Sequence, residues 1–137
     1  MLLRGSCHCG NLSVELETDK APEELPVRAC QCSFCRRHNQ RSTSDPAGRA
    51  RLIIREPDET SRYQFGMRAA EFMICRRCGV FVGAFMREND RAWAVLNIMA
   101  LDERDRFTAP PQPMDYEGET LEGRMARRKQ RWTPATY

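Results

Sequence analysis

Seven cysteines, gathered into three tight clusters, constrain this 137-residue chain more than any other feature of its sequence. The clusters are Cys7-His8-Cys9-Gly10, Cys30-Gln31-Cys32-Ser33-Phe34-Cys35 and Cys75-Arg76-Arg77-Cys78-Gly79, and no cysteine lies outside them. An odd number cannot all pair as disulfides within one chain. Met1-Leu2-Leu3-Arg4 is not followed by the apolar core of a signal peptide, so the chain is expected to stay in the cytoplasm, where thiols are kept reduced. Metal ligation is therefore the leading reading, because thiolates separated by one or two residues can face a single ion. Gly79 supports it for the third cluster by permitting the left-handed turn that aims backbone N–H groups at sulfur, and Gly10 can serve the first cluster in the same way.

The middle cluster places three thiols within six residues and can hold one ion alone, which leaves Cys7, Cys9, Cys75 and Cys78 for a closed tetrahedral site. Two zinc ions per chain are then expected. The closed one would staple an early hairpin to a late one, while the open one would keep a coordination position for water or substrate. Two other divisions stay open at this point. His38 could complete a four-ligand site with Cys30, Cys32 and Cys35, which would make both ions structural. The cysteines could also be small buried hydrophobes or iron–sulfur ligands, although seven suits neither one nor two four-cysteine clusters. His8 reads as a turn residue between two ligands.

The rest of the chain reads as mainly β. Leu12, Val14 and Leu16 share one face of an extended segment, Tyr63, Phe65 and Met67 do the same, and both are read as half-buried strands. Further strands are expected over residues 51–55, 71–74, 80–86 and 93–99, and no segment gives a long amphipathic helix. The polar stretch 39–48 reads as an exposed loop. Ala109-Pro110-Pro111-Gln112-Pro113 marks the end of the compact pattern, since prolines cannot supply the donors of a central strand. Residues 1–108 are thus expected to form a zinc-binding domain, and residues 109–137 a proline-rich and then basic extension packed on it. With 41% apolar residues there is enough for one modest core. Val80 to Met86, the longest mainly apolar run, is far short of the ~20 residues a membrane span needs, and a soluble protein is expected.

Gly5-Ser6-Cys7-His8-Cys9-Gly10, Ala29-Cys30-Gln31-Cys32-Ser33-Phe34-Cys35-Arg36-Arg37 and Cys75-Arg76-Arg77-Cys78-Gly79 together resemble the three motifs of the glutathione-dependent formaldehyde-activating enzyme family, which includes the centromere protein V domain. The motifs stand in the family's order, and the similarity runs from about Met1 to Arg106. The resemblance implies a small zinc-stapled fold of several short coiled β-sheets, a β-tent. It also implies a structural zinc on Cys7, Cys9, Cys75 and Cys78 and a catalytic zinc on Cys30, Cys32 and Cys35. The activity it implies is that of a carbon–sulfur lyase acting on a thiol–aldehyde adduct such as S-hydroxymethylglutathione.

An open zinc can hold a thiol deprotonated at neutral pH or polarise an aldehyde oxygen, and either favours making or breaking a C–S bond. Three thiolates leave such a site negative, so an anionic thiol needs cations nearby. Arg36 and Arg37, directly after Cys35, are expected to offset that charge or to fork onto a substrate carboxylate. Tyr63 and His38 are candidate proton shuttles. The competing class is a binding module with two structural ions whose basic tail, Arg124 to Trp132, meets a protein or nucleic-acid partner. A net charge of +3, with 19 acids set against 22 bases, speaks against nucleic acid.

Overall fold

The computed structural model describes residues 1–137. In chain order the elements are β1 (Leu2–Ser6), β2 (Leu12–Glu17), β3 (Arg28–Cys30), α1 (Ser33–Arg37), β4 (Ser42–Thr43), β5 (Arg49–Ile54), β6 (Thr60–Tyr63), β7 (Glu71–Cys75), β8 (Phe81–Glu88), β9 (Arg91–Asn97), β10 (Gln112–Met114), α2 (Leu121–Arg131) and β11 (Thr133–Thr136). The expected mainly β class holds, and the strands join into one mixed sheet that branches at β9. Along one edge β9 pairs with β8, which leads on to β7 and β6. Its other edge is shared: Ala92, Trp93 and Ala94 pair with β11, while Leu96 and Asn97 pair with β4. From β11 the sheet continues to β5, β2 and β1, and from β4 to β3 and β10.

This branching explains why β9 lacks the alternation of a half-buried strand. Ala92, Trp93, Ala94, Val95 and Leu96 are all buried, because both faces of the hub are covered. On one face Ala94 and Leu96 join Leu3, Leu12, Val14, Leu16, Val82 and Phe85 in the main core, which also contains Cys7 and Cys75. On the other, Trp93 and Val95 pack with Phe81, Ala84, Met86 and Trp132. The main core reaches the 3-10 turn Ile98–Ala100 across Gly5, where a Cβ would lie only 2.2 Å from the Ala100 carbonyl oxygen.

Three expectations are corrected. Tyr63, Phe65 and Met67 do not form one strand: β6 ends at Tyr63, and the chain then turns through Gly66 (φ 59°) and Arg68 (φ 56°). The stretch 39–48 is not an exposed loop. Gln40, Ser42, Thr43, Ser44 and Asp45 are buried, and Ser44 and Asp45 find polar partners inside the molecule: Arg28 donates to Ser44 Oγ, Ser44 Oγ donates to the Arg131 carbonyl, Thr18 Oγ1 donates to Asp45, and the Asp45 N–H donates to Thr133 Oγ1. Nor does the compact pattern end at the proline cluster. Residues 112–114 add β10 beside β3, α2 is an eleven-residue helix, and β11 is a central strand between β5 and β9. Pro134 is tolerated there because the strand is short and its pairing with β5 involves only Ala135 and Thr136.

Candidate functional site

The first and third cysteine clusters meet at the tips of two hairpins. Cys7, Cys9 and Gly10 make the turn between β1 and β2, and Cys75, Cys78 and Gly79 make the turn between β7 and β8. In each turn a left-handed glycine closes back on the first cysteine: Gly10 donates to the Cys7 carbonyl three residues back and Gly79 to the Cys75 carbonyl four residues back, with φ of 84° and 81°. Backbone N–H groups point at sulfur as well, from Leu12 to Cys7 at 3.2 Å and from Cys78 to Cys75 at 3.5 Å. The four sulfurs lie within 4.8 Å of one another, with Cys7 to Cys9 at 3.8 Å and Cys9 to Cys75 at 3.5 Å. An ion bonded tetrahedrally to four thiolates at ~2.3 Å separates its sulfurs by about 3.8 Å, so the set fits a single such ion. A multi-iron cluster would need its cysteines farther apart.

The middle cluster forms a second group. Cys30 closes β3, Cys32 caps α1 by accepting the Cys35 N–H at 3.4 Å, and Cys35 is the buried residue of α1. Gln31 donates to the Met114 carbonyl, which ties this loop to β10. The three sulfurs lie within 4.8 Å of one another and no histidine or carboxylate joins them. Their mutual hydrogen bonding splits the thiols. Donation from Cys30 and Cys35 holds Cys32 far below the ordinary thiol range, while Cys35 is pushed far up by Cys30, Cys32 and its own burial. One thiolate is easy here and three are not unless a cation compensates them, which is what a metal supplies.

Cys30, Cys32 and Cys35 lie in the wall of a cleft of about 430 Å³, within the usual range for a small-molecule site. Phe65, Met67, Ala70, Phe72, Ala84, Val95 and Trp132 make its apolar side. Its polar side is rich in cations, with Arg28 from β3, Arg68, and Arg124, Arg127, Arg128 and Arg131 from α2 set against Asp115 and Glu117. Glu119 accepts from Arg124 at 3.2 Å and from Arg127 at 2.7 Å, and the pair, Arg127 first, hold its carboxyl below the usual range. Arg127 also lies 3.5 Å from the Tyr116 ring centroid. Burial, followed by repulsion from Arg127 and Arg124, brings Arg128 down to about 10.

The other candidates fall elsewhere. Arg36 and Arg37 are exposed on α1 and neither lines the cleft; Arg36 instead borders a second recess, on which Cys30 and Cys35 also lie, with Asn39, Arg41, Pro111 and Pro113. His38 caps α1 with its ring 4.4 Å from Phe34 and 5.7 Å from Phe81, so it does not complete the middle cluster. Tyr63 is exposed, stacks on Phe34 and Phe65, and is not among the cleft's lining residues. Sequence reasoning missed the arginine wall, although its signal was present: positions 124, 127, 128 and 131 follow i, i+3, i+4, i+7 spacing with charged instead of apolar residues.

A crystal structure of a Rhodobacter sphaeroides protein is 29% identical in sequence, with a TM-score of 0.59, and the match covers 80% of this chain and 98% of that one. Residues 2–116 match the family described as glutathione-dependent formaldehyde-activating enzyme. That span contains all seven cysteines and the strands that bring them together, and the chain belongs to the glutathione-dependent formaldehyde-activating enzyme family.

Proposed function

We propose that the chain is a zinc-dependent, carbon–sulfur lyase-like enzyme that makes or breaks the adduct of a small thiol and an aldehyde, S-hydroxymethylglutathione being the family's own example. The observation that carries this reading is the position of the three-cysteine group, which faces a substrate-sized cleft without a fourth protein ligand. Reduced all-thiolate sets of this geometry favour zinc. Zinc on Cys30, Cys32 and Cys35 would stabilise a thiolate at neutral pH and act as a Lewis acid toward the aldehyde. Zinc on Cys7, Cys9, Cys75 and Cys78 would be structural.

The chain's own residues supply the rest. Cys30, Cys32 and Cys35 hold negative charge at one end of the cleft, and the arginines of α2 with Arg28 offset it and admit an anionic thiol. This role was expected of Arg36 and Arg37; the cations that line the cleft are Arg28, Arg68 and the α2 arginines, while Arg36 stands with Cys30 and Cys35 on the neighbouring recess. The apolar side formed by Phe65, Phe72, Val95 and Trp132 offers the carbon chain of the substrate a surface to pack against.

The test is the exchange of formaldehyde between free solution and glutathione, followed by NMR line shape or magnetisation transfer. The zinc-loaded protein is expected to accelerate it, and the metal-stripped protein is not. Equal rates with and without the loaded protein, over a range of thiols, would return the chain to the class of non-catalytic zinc modules.

A further inference from the structure

The cleft holds one buried cation whose donors meet no acceptor in the protein. Arg128 is only 9% exposed, and its Nε and Nη1 are buried without a hydrogen-bond acceptor. Arg28 donates to Ser44, Arg124 and Arg127 share Glu119, and Arg68 and Arg131 are exposed to water. The Arg128 side chain makes no hydrogen bond; its guanidinium carbon lies 4.6 Å from the Trp132 ring, Glu119 and Cys30 act on it only through space, and Arg128 and Trp132 both line the cleft. A buried, charged donor without an acceptor is costly, and such a group persists where an anion completes it. Gln40, on the same wall, likewise has a buried Oε1 with no donor.

We propose that Arg128 and the adjoining α2 arginines form an oxyanion subsite that takes a carboxylate of the thiol substrate, at the end of the molecule away from its sulfur. The α2 helix, Leu121–Arg131, lies beyond residues 2–116, the span of the family match, so substrate choice is set by a segment outside the shared motifs. A thiol bearing a carboxylate bridges from the cysteine group to Arg128, and a ligand N–H can meet Gln40. Small neutral thiols lack the second anchor. Calling the ligand a thiol rests on the function proposed above, whereas the anion subsite does not.

S-methylglutathione separates the two ideas, because its blocked sulfur cannot act as a thiolate and its binding does not require the chemistry. Its affinity for the zinc-loaded protein, followed by calorimetry or Trp132 fluorescence at fixed ionic strength, is expected to exceed that of its dimethyl ester by about tenfold or more, the size of one charge-assisted hydrogen bond. Arg128→Gln should reduce the ratio to near one, with an unchanged circular dichroism spectrum, and Arg128→Lys should keep part of it. An ester that binds as well as the acid overturns the proposal with wild-type protein alone. So does an Arg128→Gln variant that folds and keeps the preference. Inorganic phosphate binding more tightly than S-methylglutathione would assign the site to free phosphate and also overturn it. Loss of formaldehyde exchange with the acid preference intact would sink the lyase reading and leave the subsite standing.

Discussion

A cysteine sulfur in this protein has one of two fates, set by whether its partners come from near or far in the chain. Cys7, Cys9, Cys75 and Cys78 come from two hairpins more than sixty residues apart, and two of them, Cys7 and Cys75, sit inside the main core at 1% and 0% exposure. Structural zinc in small peptides contributes ~10–16 kcal/mol, as much as the ~5–15 kcal/mol that holds a whole domain together. Replacing Cys9 or Cys78 with serine is therefore expected to unfold the chain or leave it insoluble. Cys30, Cys32 and Cys35 belong to a single short loop, so Cys32→Ser should keep a near-native circular dichroism spectrum while bound zinc falls toward one per chain and thiol binding is lost. The opposite pattern would mean that the two groups have exchanged roles. The two cysteine groups were legible in the sequence because each cluster announces itself within six residues, and the two glycines pointed to tight turns. Arg128 was not, since nothing local says that the residue will be buried.

At the scale of elements, the C-terminal segment is where local reading and fold part company. The face of α2 turned toward the protein carries Arg124, Met125, Arg127 and Arg128, so a search for apolar periodicity passes over it. The helix forms all the same, because Thr120 caps it by accepting the Gly123 N–H at 3.0 Å and Glu119 gathers two of its arginines. β11 was equally hard to see. Two of its four residues, Pro134 and Ala135, have little strand propensity, and its place between β5 and β9 comes from long-range pairing. The Asp45 backbone N–H fastens it through the Thr133 side chain, and Ser44 Oγ holds the Arg131 carbonyl just before it, so the 42–45 stretch is buried although its composition is that of a loop. Thr133, fully buried, is the key contact, because its Oγ1 accepts the buried Asp45 N–H at 2.8 Å. Thr133→Val keeps the shape and removes the acceptor, so it should cost about 1–3 kcal/mol in urea unfolding of the zinc-loaded protein. An unchanged midpoint would show that the 42–45 stretch does not hold β11 in place.

For the whole molecule, the branching of the sheet puts the two cysteine groups on different arms. The four-cysteine group joins the β1–β2 and β7–β8 hairpins, whose side chains make most of the sixteen-residue core, so releasing an ion there means separating elements that the core holds together. The three-cysteine group belongs to the β3–β10 arm, beside a cleft already open to solvent, and only Cys35 of the three is buried. Metal loss should accordingly proceed in two steps. A mild chelator is expected to remove one zinc quickly, with no change in far-ultraviolet circular dichroism and with abolished formaldehyde exchange. The second zinc should leave only as fast as the chain unfolds, so its release rate should rise with urea in step with the unfolding rate. Added zinc should restore exchange after the first step without a refolding phase. A single step, with both ions leaving together and the spectrum collapsing, would tie the cleft to the core, and the three-cysteine group would then have to be counted as part of the scaffold.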